Sequence, residues 1–93
     1  IVKYNHLSLD LLSYTLTIDD NIVDITVTEF RLLHGFIAHR NQVLSRDQLM
    51  DIAYPEDNYA TDRSIDSHIK RLRKKIGTDC IQTVYGAGYK FVE

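Results

Sequence analysis

Arg63-Ser-Ile-Asp-Ser-His-Ile-Lys-Arg-Leu-Arg-Lys-Lys-Ile76 decides how this chain is read. At about 100° per residue, Ile65, Ile69, Leu72 and Ile76 share one narrow sector, while Arg63, Ser67, Lys70, Arg71 and Lys74 fall on the other side. One face can anchor a helix and the other presents cations. The stretch carries six of the chain's eleven Lys and Arg residues against Asp66 alone. Residues 1–62 carry only Lys3, Arg31, Arg40 and Arg46 against ten acidic groups, so the formal charge of −2 averages an acidic body and a cationic helix. A polyanion would be drawn to one patch and repelled elsewhere, which favours oriented docking. A solvated helix face would carry the same charges, and charge alone leaves both readings open.

Working towards the N-terminus, two further helices announce themselves by capping chemistry. Thr26-Val-Thr-Glu29 and Ser45-Arg-Asp-Gln48 each place a hydroxyl at an N-cap and a carboxylate or amide three residues on. Each pair can satisfy backbone N–H groups that a first helical turn leaves open. Phe30, Leu33 and Ile37 form one stripe of the first helix and Leu32 and Phe36 another, so this helix should be buried on more than one side. The second helix is short, with Leu49, Ile52 and Ala53 on its apolar side, and Tyr54-Pro55 stops it. Residues 56–61 read as a loop into the cationic helix, which Gly77 terminates.

The outer zones have the period of strands. Leu7, Leu9 and Leu11 alternate with polar residues, as do Tyr14, Leu16 and Ile18; Asp19-Asp20-Asn21 supplies a turn before Ile22 to Ile25. The pattern predicts an antiparallel meander with one buried face. After Gly77, residues 81–85 and 89–92 are strand-like, and Gly86-Ala-Gly88 is short enough to close a hairpin. Strands, three helices and a hairpin make an α+β winged-helix order, with the second and third helices as the helix-turn-helix pair and residues 81–92 as the wing.

The 93 residues suit one modest core and one domain. The chain opens on Ile1 with no initiator Met and no signal-like start, and reads as a domain excised from a longer protein. Cys80, the single cysteine, has no disulfide or Cys-x-x-Cys partner, and no stretch has the length of a membrane span, so a cytoplasmic location and no membrane contact are expected.

Four stretches in register along nearly the whole chain carry a family resemblance: Ile25-Thr-Val-Thr-Glu-Phe-Arg-Leu-Leu33, Val43-Leu-Ser-Arg-Asp-Gln-Leu49, residues 62–76, and Gln82-Thr-Val-Tyr-Gly-Ala-Gly-Tyr-Lys-Phe91. The chain resembles the OmpR/PhoB-type effector domain of bacterial response regulators. The strings Thr61-Asp-Arg-Ser-Ile-Asp-Ser-His-Ile-Lys70 and Val84-Tyr-Gly-Ala-Gly-Tyr89 look similar to its BaeR-like branch. The resemblance implies a four-stranded N-terminal sheet, three helices and a C-terminal wing, binding double-stranded promoter DNA to regulate transcription. It also implies a separate receiver domain whose phosphorylation drives paired binding to half-sites about one DNA turn apart. Alone, the domain is then expected to bind weakly as a monomer, and the phosphorylated full-length protein as a dimer.

Carried over position by position, the resemblance puts the third helix in the major groove, with Lys70 and Arg71 as candidates for base edges. Arg can hold guanine O6 and N7 bidentately. Asp66 and Ser67 lie one turn earlier; Asp66 could accept from a cytosine amino group or instead orient a neighbouring Arg or the helix start. Arg63, Ser64, Arg73 and Lys74 are assigned to phosphates, which fix register without reading sequence. Arg46, Tyr54, Thr83 and Tyr89 match positions of backbone contact in the family, although Tyr54 could equally pack the helix end. Tyr85 stands where many relatives have an Arg that enters the minor groove, so the charge that reads a narrow A·T groove is missing there, with Lys90 as a partial substitute. Lys75, nearer the buried side, reads as solvated. The loop spanning 55–62 could touch RNA polymerase in the family manner or merely join two helices.

Catalysis is not expected. His6, His34, His39 and His68 offer no pair spaced to converge on a metal with a third ligand, and His68, at the edge of the stripe, reads as a packed ring bonded to backbone. Gly86-Ala-Gly88 is followed by a strand rather than by a helix that could receive a phosphate. No Gly-x-Ser-x-Gly elbow occurs, and Cys80 reads as a strand residue. No metal or other cofactor is implied. The alternative of a different class is a winged helix whose basic face meets an acidic protein.

Overall fold

A computed structural model describes residues 1–55 and 62–92, without the side chains of 62–64. Strands β1 (Val2–Tyr4), β2 (Leu7–Asp10), β3 (Thr15–Ile18) and β4 (Asn21–Val23) form an antiparallel sheet in chain order. Val2, Leu9, Leu16 and Val23 pair across it in one row, and Leu9 and Leu16 are fully buried. The turn between β3 and β4 places Asp19 and Asp20 at φ of 50° and 68°, the left-handed pair that a two-residue hairpin requires.

Leu11 departs from the expected alternation. β2 ends at Asp10, whose carboxylate accepts from the backbone N–H of Leu12 at 3.0 Å and turns the chain away, leaving Leu11 and Leu12 exposed. The last strand also stops at Val23, short of Ile25, and β1 escaped the periodicity reading because three residues are too few to show a period.

Helix α1 (Val27–Ala38) follows the expected capping box. Thr26 Oγ1 accepts from Glu29 N–H at 3.1 Å and Glu29 Oε1 accepts from Thr26 N–H at 3.0 Å. Phe30, Leu32, Leu33, Phe36 and Ile37 are all buried, so α1 is central, as its two apolar stripes imply. Helix α2 (Arg46–Ala53) repeats the device with Ser45 and Gln48. Helix α3 (Asp62–Ile76) buries Ile65, Ile69, Leu72 and Ile76, and Gly77 ends it at a φ of 107° with its N–H bonded to the Arg73 carbonyl.

The hairpin of β6 (Ile81–Val84) and β7 (Gly88–Phe91) gains a third strand that the sequence reading lacked. β5 (Val43–Leu44), just before α2, pairs antiparallel with β7. Gly88 permits it: a Cβ there would lie 2.0 Å from the Leu44 carbonyl oxygen. The wing is therefore tied to the start of α2. Together the elements form an α+β winged helix, with α2, α3 and the wing sharing one side of the core.

Candidate nucleic-acid interface

The apolar stripe of α3 sets the position of every polar side chain on the helix. At about 100° per residue, Asp66 and Arg73 lie roughly 70–90° to one side of the stripe, and His68, Lys75 and Arg71 roughly 70–130° to the other. Ser67 and Lys74 lie furthest from it, roughly 170° away, and Lys70 lies about 130° away on the side opposite Arg71. The flanking residues meet neighbouring elements, with Asp66 and Arg71 still exposed, and Ser67, Lys70 and Lys74 are exposed as well.

On the first flank, Asp66 joins α2 to the wing. Its Oδ1 accepts from Arg46 Nε at 3.1 Å and from the Tyr89 hydroxyl at 2.5 Å. The Tyr89 hydrogen bond holds the carboxyl below its ordinary value against an opposing effect of burial, with Arg46 adding to the lowering. Asp66 thus orients Arg46, one of the roles the sequence left open, and its Oδ1 is already engaged. Tyr89 is buried, with the guanidinium carbons of Arg46 and Arg73 each 5.5 Å from its ring centroid.

Arg73 differs most from its sequence assignment to a phosphate. Its Nε and Nη2 donate to the Ile81 carbonyl at 3.0 and 2.7 Å, and Nη2 also donates to the Thr83 hydroxyl at 2.9 Å. The side chain lies one residue beyond the buried Leu72, so it is directed at the wing. Arg73 and Thr83 therefore bind each other across the helix and hairpin.

On the second flank, Glu29 is a carboxylate with no exposed surface. Lys75 Nζ lies 2.7 Å from its Oε1, and Arg71 Nε lies 3.5 Å from Oε2, which has no hydrogen bond of its own among the described residues. Burial alone would raise this carboxyl, but the hydrogen bonds from Lys75 and Thr26 outweigh it and leave it below the ordinary value. Lys75 is thus an ion-pair partner of α1, not a solvated cation. Among the described residues the His68 ring is bonded to side chains and not to backbone: Nε2 lies 2.5 Å from the Tyr54 hydroxyl and Nδ1 lies 2.8 Å from Arg71 Nη2. Burial, then the charge of Arg71, push the ring below its ordinary value.

Lys70 and Lys74 have no ion-pair partner among the described residues, and Ser67, one turn before Lys70, is exposed as well. Tyr85, at the wing tip, is 93% exposed. Lys90 is half-buried on β7 opposite Gln82, two pairs back from the tip. The side chains of Arg63 and Ser64 and the loop over 56–61 lie outside the described residues. The helical wheel does not separate the two groups fully, since Lys70 and Arg71 both lie about 130° from the stripe on opposite sides, and nothing in the sequence names the flank residues' partners on other elements.

Known proteins place this geometry. Residues 7–91 match the family described as transcriptional regulatory protein, C terminal. The phosphate regulon transcriptional regulatory protein PhoB of Klebsiella pneumoniae is 41% identical over 95 residues, covering 98% of this chain and 42% of PhoB. The chain thus spans about two-fifths of the length of the curated relatives it matches. The DNA-binding domain of the response regulator AdeR, solved in complex with an intercistronic region, superposes with a TM-score of 0.87 at 25% identity over 99% of both chains. The DNA-binding domain of CpxR from E. coli gives 0.85 at 30% identity, over 99% of this chain and 95% of that one. The chain belongs to the C-terminal domains of transcriptional regulatory proteins, the OmpR/PhoB-type winged helices of response regulators.

Proposed function

We propose that this domain binds double-stranded DNA sequence-specifically, with α3 in the major groove and the tip of the wing against the adjacent minor groove. One observation carries the reading: α3 buries its apolar stripe while Ser67, Lys70 and Lys74 stand exposed on the other face, the two lysines without an ion-pair partner among the described residues. An α-helix fits the major groove, and cations on its outer face meet phosphates and base edges together. AdeR and Klebsiella pneumoniae RstA, whose DNA-binding domains were solved with an intercistronic region and an RstA box, lend the same direction.

Within this reading Lys70, Ser67 and Arg71 face the bases and Lys74 a phosphate, joined by Arg63 and Ser64. Arg46 reaches a phosphate at the start of α2 from its seat on Asp66. Arg73, Thr83, Asp66 and Tyr89 hold the wing at its angle to α3. Tyr54 serves α3 through His68. The domain acts as the output of a two-component regulator in the cytoplasm, where phosphorylation of a receiver domain pairs two copies on tandem half-sites. RNA polymerase is its protein partner through the 55–62 loop. It performs no catalysis.

Selection of sites from a random duplex pool tests the reading, followed by a salt titration on the enriched site. With about five phosphates neutralised, log affinity should fall against log salt with a slope of roughly −4 to −5. A flat response with no enriched site overturns it and favours an acidic protein partner for the basic face.

A further inference from the structure

The chain of contacts from Tyr54 through His68 to Arg71 has a defined proton arrangement. A guanidinium only donates, so the His68 Nδ1 that lies 2.8 Å from Arg71 Nη2 must present its lone pair. The proton of the neutral ring is then on Nε2, donated to the Tyr54 oxygen 2.5 Å away. Arg71 Nε is also turned inward, 3.5 Å from the buried Glu29 carboxylate. The guanidinium is held on two sides, and the remaining N–H groups of a side chain that is 51% exposed are left for an external acceptor.

We propose that Tyr54 and His68 are positioning residues that aim the Arg71 guanidinium at the groove, so that base discrimination by Arg71 requires a neutral His68. The inference rests on the DNA reading above and adds a proton to it. The ionisable groups around the ring are Tyr54 at the end of α2, Arg71 on α3 itself and Glu29 from α1, with Lys75 bound to Glu29 beyond it. Protonation at Nδ1 replaces an acceptor by an N–H facing a cation, and the guanidinium has to turn away. An Arg freed in this way still attracts phosphates. It loses the fixed direction on which a bidentate contact to a base depends. Glu29 and Asp66, both below their ordinary values of 4.5 and 3.8, stay ionised at pH 5.0 and keep the rest of the interface in place.

The experiment measures the affinity ratio between a duplex that the wild-type domain enriches from a random pool at pH 7.5 and a scrambled duplex of the same composition. The ratio is taken at pH 7.5 and 5.0 for wild type, His68→Asn, His68→Leu and Tyr54→Phe, with circular dichroism confirming the fold in each case. The wild-type ratio should fall as the His68 ring, followed by its NMR shifts, takes up its proton, by about tenfold once the imidazolium is fully formed, within the range one well-aimed side chain contributes to base discrimination. His68→Asn, whose amide oxygen can accept near the Nδ1 position and does not titrate, should give a ratio independent of pH. His68→Leu should be low at both values and Tyr54→Phe intermediate at pH 7.5. A His68→Leu ratio equal to wild type overturns the inference, as does a wild-type ratio that stays level at a pH where the His68 ring NMR shifts show the imidazolium. So does a ratio that rises at pH 5.0, which would make the imidazolium itself the reader. Failure to enrich any duplex instead overturns the DNA reading, before His68 is tested.

Discussion

The ammonium of Lys75 lies 2.7 Å from a carboxylate oxygen of Glu29, a residue 46 positions earlier in the chain with no exposed surface. A buried carboxylate needs its charge answered, and here Lys75 and the Thr26 N–H both bond Oε1 while Oε2, without a hydrogen bond among the described residues, has the Arg71 guanidinium 3.5 Å away. The same carboxylate that closes the capping box of α1 therefore also anchors α3.

Replacing Lys75 by Met should leave that charge poorly compensated. A loss of about 2–3 kcal/mol is expected in denaturant unfolding, somewhat less than for a fully buried pair because the lysine side chain is 29% exposed. Adding Glu29→Gln to Lys75→Met should recover part of the loss, since the uncompensated charge is then gone.

Acid should destabilise the domain in two stages. Burial and Arg71 depress the folded-state pKa of His68 below its ordinary 6.5, so the unfolded chain takes up the proton first. The stability that comes from keeping the ring neutral is complete above about pH 6.5 and is lost as pH falls below it. Glu29 and Asp66, depressed below 4.5 and 3.8, contribute stability that is full above those values and is lost as pH falls through their folded-state values. Thermal melts from pH 7.5 to 3 should show both declines, and His68→Asn should remove only the first.

Arg73→Ala and Lys74→Ala should separate by assay, although the two residues are adjacent. Arg73 supplies charged hydrogen bonds to the Ile81 carbonyl and the Thr83 hydroxyl, and its loss should cost about 1.5–3 kcal/mol of stability and speed amide exchange in β6. Lys74 has no ion-pair partner among the described residues. Its removal should leave melting unchanged and reduce the salt slope of DNA binding by about one.

Gly88→Ala should detach the wing from α2. The added methyl would sit 2.0 Å from the Leu44 carbonyl oxygen, at a φ of 140° that side chains avoid. Loss of the β5–β7 pairing and a destabilisation of more than about 2 kcal/mol are expected, read by loss of exchange protection at Val43 and Lys90.

Tyr85→Arg tests the wing. The side chain is 93% exposed, so melting should hold within about 0.5 kcal/mol of wild type. Affinity should rise for sites flanked by a narrow A·T-rich minor groove and stay level for G·C-rich flanks. No gain on A·T flanks would remove the wing tip from the groove.

The legible parts of this molecule are those written in short windows. Thr26 with Glu29, and Ser45 with Gln48, declare their helices because a cap and its reciprocal partner are three residues apart. The stripe of α3 is legible because 3.6-residue spacing by itself selects a buried face. The short β5 strand was hidden because two residues carry no period, and its pairing depends on what Gly88 does not have.

The sequence by itself determined the winged-helix order, the buried face of α3 and the concentration of cations on that helix, since local spacing and composition suffice for each. Only the tertiary structure decided which cations stay free. Arg46 finds Asp66 across 20 residues, Tyr89 finds it across 23 and Lys75 finds Glu29 across 46. Such pairs form because residues flanking a buried stripe are pressed against whichever element covers it, and a charge held near that boundary is stable only with a partner. Lys70 and Lys74, with no ion-pair partner among the described residues, are the cations that this sorting leaves free, beside the exposed Ser67.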